Sequence, residues 1–425
     1  ATLASITWHL LPLLFVCYII AYIDRINVGF AKLHLREVLG VSEQSFSSAY
    51  GLGAGLFFIG YFIFEVPSNL ILQRVGARIW IARIMIVWGL VSMAFMFLQG
   101  TTMFYVMRFL LGAAEAGFFP GVILYLTYWF PVRERARTVA MFATGGVLAG
   151  VVGSPISGAL LEMDGLGGLA GWQWLFLVEG FPAVLMGLVI LIVLPNRPRD
   201  ARWLTPAQKN WIQSRLDEET AAAGPAQTHS LMHIFTNGRV WLLCLLYFLL
   251  NVAGYGYELW LPTIIKSFST TSSTILGVIN GIPYLVAGLA MIIVAAYSDK
   301  TGERRGVVAL AAAGSAVGFA LSASSTNPYL AMAALTLAFV GLKCTIAPFW
   351  TMATVYLGGT AAAAGIAFIN SVGNLGGFAG PYLVGVIKDA TGSNVAALLL
   401  LGGAALGMAV FTLFLPKTSS PAGKL

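Results

Sequence analysis

Eight charged side chains fall inside long apolar stretches of this 425-residue chain: Asp24, Arg25, Glu65, Arg108, Glu115, Glu179, Glu258 and Lys343. A charge at the centre of an apolar helix costs about 2.5–3.5 kcal/mol on insertion scales, so each such residue is a candidate to hold an ion, carry a proton or pair with another. Arg108 and Glu115 are separated by two helical turns, about 10 Å along one face, with Gly112 between them. That face can hold an anion beside a proton, or form a buried ion pair that packs helices. Asp24 and Arg25 are adjacent and point about 100° apart, so one is expected to face a central site and the other a neighbouring helix. Asn370 and Asn374, one turn apart, can donate amide hydrogens to carboxylate or hydroxyl oxygens, or bond helices together. Trp350 can stack on an apolar substrate face; Lys343, two turns earlier on the same face, adds a second positive charge or snorkels to the membrane surface.

The elements that must position these groups follow from composition. The chain is 58% hydrophobic and 10% charged, with a mean hydropathy of +0.84, whereas soluble domains carry roughly 25% charged residues. Long apolar runs such as 81–98, interrupted by charge only at Arg83, select helices over the alternating short segments of an outer-membrane barrel. Hydropathy places twelve spans at 9–34, 46–72, 79–98, 103–129, 137–161, 173–194, 239–264, 274–297, 306–323, 329–356, 362–388 and 395–415. Arg74 and Arg78 follow span 2, Arg133, Arg135 and Arg137 follow span 4, and Lys300, Arg304 and Arg305 follow span 8, while the loops around 99–102, 163–171 and 322–327 carry no Lys or Arg. This asymmetry puts both termini on the cytoplasmic side and accounts for the net charge of +7 without nucleic acid; the expected location is the inner membrane of a bacterial-type cell. The polar stretch 196–237 is read as a cytoplasmic linker between an N-terminal bundle, 1–195, and a C-terminal bundle, 238–425. Within it Thr205 and Pro206 have the signature of an N-cap and first helical residue.

Cys17, Cys244 and Cys344 lie far apart in apolar stretches and read as packing residues. His9, His34, His229 and His233 form no triad or ligand spacing, so no enzyme, metal or cofactor is expected. The first apolar stretch runs through Tyr22 and Asn27 with no cleavage site of a signal peptide.

An internal repeat organises the chain. The turn from Gln73 to Arg78 matches that from Asp299 to Arg304, and at the same offset the Gly150–Pro155 stretch matches Gly376–Pro381. One constant offset of about half the chain implies two parallel six-helix repeats, with a site between them near the bilayer midplane.

The two basic turns, the second of them Ser298-Asp299-Lys300-Thr301-Gly302-Glu303-Arg304-Arg305, resemble the cytoplasmic signature of the major facilitator superfamily. The stretches Tyr22-Ile23-Asp24-Arg25-Ile26-Asn27, Glu65-Val66-Pro67-Ser68-Asn69, Arg108 through Gly117, and Trp260-Leu261-Pro262 are similar to its anion:cation symporter branch, with a tartrate-transporter-like flavour. The resemblance implies an all-α major facilitator fold and a monomeric, proton-coupled symporter importing a sugar acid or dicarboxylate by alternating access. It implies that Arg108 binds the substrate carboxylate, that Glu115 and Asp24 carry protons, that Arg25 is a substrate or gating cation, and that Tyr22 stands at the rim. A protonated Glu115 would free Arg108 for the anion. Tyr61 resembles the family's substrate-hydroxyl ligand, or else packs the core. Glu65 is read as a gate or interhelical bond, and Arg74, Arg78, Asp299 and Arg304 as a clasp holding the cytoplasmic ends together, less charge-dependent in the first half, where Gln73 replaces the usual Asp. Glu179 is read as structural. Glu258 is a departure from the family and is placed to pair Lys343, and Gly146 replaces a Gln that would touch substrate. A drug or metabolite antiporter is the nearest rival; a sensor would call for a signalling domain beyond the 196–237 stretch.

Overall fold

The computed structural model describes residues 2–222, 236–268, 271–357 and 361–416. Among the described residues, the main apolar helices run in chain order as α1 (Thr2–Ile26), α2 (Glu43–Val75), α3 (Ala77–Ala94), α4 (Gly100–Glu115), α5 (Gly145–Leu161), α6 (Gly171–Val193), α7 (Gly238–Phe268), α8 (Ser273–Thr301), α9 (Arg305–Ser324), α10 (Pro328–Leu357), α11 (Ala361–Thr391) and α12 (Asn394–Thr412). Eleven crossings are long and apolar enough to span a membrane among the described residues. α11, which carries Asn370 and Asn374, matches them in length at 31 residues. No strand occurs among the described residues.

Most boundaries agree with hydropathy to within a few residues; three crossings differ in kind, among them the fifth, where the helix Val132–Ala143 precedes α5 across a break at Thr144. The fourth breaks at Ala116–Gly117, where Gly117 adopts φ 85°, and resumes as Phe118–Thr127. Gly117 is required there twice over: its φ is left-handed, and a Cβ would strike the Ser68 side chain. The break makes Glu115 the last residue of α4. The first crossing begins earlier than its hydropathy; its α-helix ends at Ile26, and short helical turns carry the crossing on through Lys32 to Leu39. In the linker, Thr205 caps the helix Pro206–Ala222: Gln208 N–H donates to Thr205 Oγ1 at 3.3 Å and Thr205 N–H donates to Gln208 Oε1 at 2.9 Å, a reciprocal box.

Packing repeats as the sequence does. α1 packs on α5 and α6, α2 on α4, and α3 on α4 and α6; the same pairs advanced by six, α7 with α11 and α12, α8 with α10, and α9 with α10 and α12, build the second half. The halves meet along α2 with α11 and α5 with α8, themselves a symmetric pair. Between lipid-facing helices there is little hydrophobic drive, so close approach through small residues carries the contact. A Cβ on Gly158 would run into the Ser273 carbonyl, and one on Gly277 into the Ser154 carbonyl. At one end the halves are tied further. Asp389 of α11 accepts from the Ser47 and Ser48 amides at 3.1 and 2.6 Å, Tyr50 O–H donates to Leu259 O at 3.2 Å, and Thr274 N–H donates to Glu162 Oε1 at 2.9 Å. The bonds from Thr274 and Ser272 hold the Glu162 carboxyl below the usual range, so this tie is present at neutral pH and is lost as pH falls through that lowered value.

Gly158→Val should therefore lower the thermal midpoint in detergent by the equivalent of about 1–3 kcal/mol of overpacking, whereas Gly403→Val, with open space around its Cβ, should leave it near wild type; equal midpoints would show that the α5–α8 approach is not tight.

Candidate functional site

The adjacent pair in the last turn of α1 divides as helix geometry requires. Asp24 turns to α3, where Trp88 Nε1 donates to it at 2.8 Å and the Ser92 hydroxyl also donates, while Asn27 Nδ2 donates from its own chain segment at 3.2 Å. Arg25 turns to the centre. Its guanidinium pairs with Glu115 and donates to Tyr255 O–H on α7 at 3.1 Å, with the Phe57 and Tyr61 rings 5.4 and 5.5 Å from its charge. The partner of Glu115 is thus Arg25, not Arg108, and the competition expected for Arg108 falls on Arg25 instead. The α4 break explains the pairing: a carboxylate at a helix C-terminus faces the negative end of the dipole and needs a cation beside it.

Arg108 is fully buried. One amino group donates to Ala54 O at 3.1 Å, the Phe57 ring lies 5.0 Å from its charge, and Nε and the other amino group have no partner. It forms no ion pair among the described residues. Gly112 brings α4 so near α2 that a Cβ would overlap the Phe57 carbonyl, which is what sets both guanidinium groups around one ring.

Across from this cluster, Lys343 Nζ pairs with Glu258 Oε1 at 2.6 Å and donates to Tyr22 O–H at 3.1 Å, and Tyr22 O–H donates to Glu258 Oε2 at 2.8 Å. Lys343 lies mid-helix and does not snorkel; Glu258 takes its charge. Tyr22 is buried at the junction of the halves rather than at a rim. Gly146 makes room for it, since a Cβ there would come within 3.2 Å of the Tyr22 ring.

Glu65 accepts from Asn370 Nδ2 at 2.8 Å and from the Ser371 hydroxyl at 3.1 Å, so Asn370 bonds helix to helix in this state. Asn374, one turn along, is buried and is not part of that bond. Trp350 packs edge-on to Tyr247 with ring centres 4.9 Å apart. In the basic turns, Arg304 pairs with Asp299 at 2.7 Å and bonds Ser298, while Arg78 donates to Leu191 O and its amide to Asn196 Oδ1 at 2.9 Å. Gly76 at φ 96° and Gly302 at φ 70° make these turns possible. The first turn bonds α6 and the first linker residue, the second closes on itself, and the first contains no ion pair among the described residues; Arg74 is exposed. In this state neither turn carries an ion pair from one half to the other among the described residues.

Sequence reasoning passed over Tyr255, Trp88 and Ser92, which complete the shells of Arg25 and Asp24, and Lys32, which is buried with its ammonium 3.0 Å from the centre of the Trp260 ring. An aromatic or a Ser in an apolar run carries no mark of its partner; Lys32 could have been found as a charge inside span 1, 9–34. The three cysteines are free and buried, and no metal-binding group occurs among the described residues.

The family model for the Major Facilitator Superfamily matches residues 14–381. A relative from Agrobacterium vitis named "Putative tartrate transporter" is 50% identical over 420 residues, covering 99% of this chain and 92% of that one. The "Quinolone resistance transporter" of Acinetobacter baumannii is 43% identical over 93% of this chain and 91% of its own. The fold matches the crystal structure of a D-xylose-proton symporter with a TM-score of 0.79, at 15% identity over 97% of this chain and 98% of that one. With two matched sets of six helices, buried charges where they meet and a family match over most of its length, this chain belongs to the major facilitator superfamily of membrane transporters.

Proposed function

We propose that the protein is a proton-coupled symporter that imports an organic anion, a sugar acid or a dicarboxylate such as tartrate. The observation that carries this reading is the charge balance at the centre. Arg25, Arg108 and Lys343 stand against Asp24, Glu115 and Glu258, and the guanidinium of Arg108 keeps donors with no acceptor. Buried unmet donors on a cation favour an anion. A carboxylate entering a balanced site leaves it negative, and a proton arriving with it restores neutrality. Protonating Glu115 breaks its pair with Arg25, so Arg25 and Arg108 together take the substrate carboxylate. Asp24 is the second proton carrier. Tyr22, Tyr61, Lys343, Trp350, Asn370 and Asn374 line the substrate's path, with Asn370 released when the Glu65 gate bond opens. The name borne by the Agrobacterium vitis relative supports the choice of anion.

The halves, 1–195 and 238–425, rock about this site with 196–237 as the cytoplasmic connection. The ties at Asp389, Tyr50 and Glu162 lie at the end opposite the Arg-rich turns. By the Lys/Arg rule the tied end is the outer one, in the inner membrane of a bacterium, and the state described has its outer gate shut. A proton antiporter exporting drugs is the second reading, favoured by the name of the Acinetobacter baumannii relative.

The sign of proton flux separates the two. When tartrate is added outside proteoliposomes holding a pH dye, with no imposed gradient, the lumen should acidify at a rate that saturates with tartrate. Alkalinisation, or demonstrated uptake with a flat trace, would refute symport. Arg108→Ala should weaken tartrate binding about 10- to 100-fold, the worth of a charged hydrogen-bond pair, with an unchanged size-exclusion profile; retained affinity would defeat the assignment. Glu115→Gln should still exchange tartrate across the vesicle membrane yet lose accumulation driven by a pH gradient, and intact accumulation would remove Glu115 from the proton path.

A further inference from the structure

A cavity of about 650 Å³ lies at the tied end of the bundle, the outer one by the Lys/Arg rule. That volume falls in the range of roughly 300–1,000 Å³ typical of small-molecule sites. Lys32, Phe46 and Ser47 line it from the first half, and Thr263 of α7 with Lys388 and Asp389 of α11 line it from the second.

The ionisable groups of this cavity differ in what they meet. Glu43 pairs with Arg36 at 3.5 Å, Asp389 accepts from the Ser47 and Ser48 amides, and His34 and Glu37 are exposed. Lys32 is 3% exposed and Lys388 half-buried, and neither ammonium forms an ion pair among the described residues. Both stand about one indole, that of Trp260, with their Nζ atoms 3.0 and 5.5 Å from its ring centre. The Tyr50 ring lies 4.9 Å from Lys32 Nζ. The Thr263 hydroxyl is buried with no hydrogen-bond partner. A ring face attracts a cation, yet far less than removal from water costs it, and two cations about one ring repel. What this wall lacks is an acceptor that carries negative charge, and a carboxylate has two oxygens to offer such donors.

We propose that this cavity is a second anion site, in which Lys32, Lys388 and Thr263 hold the carboxylate of a small organic acid at the outer mouth. Its donors come from both halves, so the bound anion bridges the seam that opens when the halves rock. The way inward is short: Tyr50 stacks on Phe104 with ring centres 6.3 Å apart, and Phe104 precedes Arg108 by one turn of α4. That the anion held here is the one transported rests on the symport reading above; the site itself does not.

Protection of a lysine tests the site directly. Purified protein in nanodiscs of zwitterionic lipid, which has no net negative charge, is treated with acetic anhydride, and acetylation of Lys388 is followed by mass spectrometry. Tartrate at about ten times its dissociation constant should slow the reaction about tenfold, the share of sites left free, whereas a neutral polyol of the same length should not. Protection should persist in Arg108→Ala, which weakens the central site alone. Lys32→Gln should raise the tartrate needed for protection about tenfold, the worth of a charged hydrogen bond. Thr263→Val, which keeps the side chain's shape, should raise it about threefold, as for a neutral bond, and it carries the test if Lys32→Gln does not fold. Acetylation indifferent to tartrate overturns the inference. So does protection lost in Arg108→Ala, since Lys388 would then report only on the central site. Tartrate-driven acidification of vesicles is read in parallel: acidification without protection retires the outer site and keeps symport, and protection without acidification keeps the outer site and retires symport.

Discussion

Charge in a medium that cannot solvate it must be balanced by other charge, by hydrogen bonds or by a proton, and the interior of this protein is arranged around that constraint. A major facilitator bundle could pack twelve apolar helices on one another with no ionisable group inside. This one buries Arg25 with Glu115, Lys343 with Glu258, Asp24 in a shell of three donors and Arg108 with two donor groups unmatched. Each solution differs in how easily it is undone. An ion pair is broken by a proton on its carboxylate, and an unmatched guanidinium is completed by an arriving anion. The ordered set of these responses is what ties substrate to proton in the proposed cycle.

The helices serve that chemistry through their ends and their close contacts more than through their lengths. The break at Ala116–Gly117 sets Glu115 at the terminus of α4, and the end of α1 at Ile26 puts Asp24 and Arg25 in a last turn with freedom to diverge. Glycines at α2–α11 and α5–α8 bring backbones close enough that side chains of opposite halves share bonds, as Glu65 does with Asn370 and Tyr22 with Glu258. Because the bonds between halves run through polar groups, they can be exchanged for others as the halves rock, whereas an interdigitated apolar seam would have to be unpacked.

The sequence by itself determined the class of the molecule, since twelve apolar runs with a constant half-chain offset admit few folds, and helix-to-helix pairs advanced by six follow from that symmetry. It also marked nearly every charged residue of the centre, because a charge in an apolar run is conspicuous at any register. Partnership was decided by tertiary structure alone. Arg108 and Glu115 share a face on paper, yet the α4 break turns Glu115 toward Arg25 from another helix. Asn370 reads as a substrate donor until α11 lies against α2 and Glu65 takes its amide. Lys343 reads equally as a free cation or a snorkelling one until α7 brings Glu258 to it. Spacing along one helix places groups to within a turn, but an ion pair closes over a few ångströms between helices, and only the packing of the whole bundle determines which groups come that near.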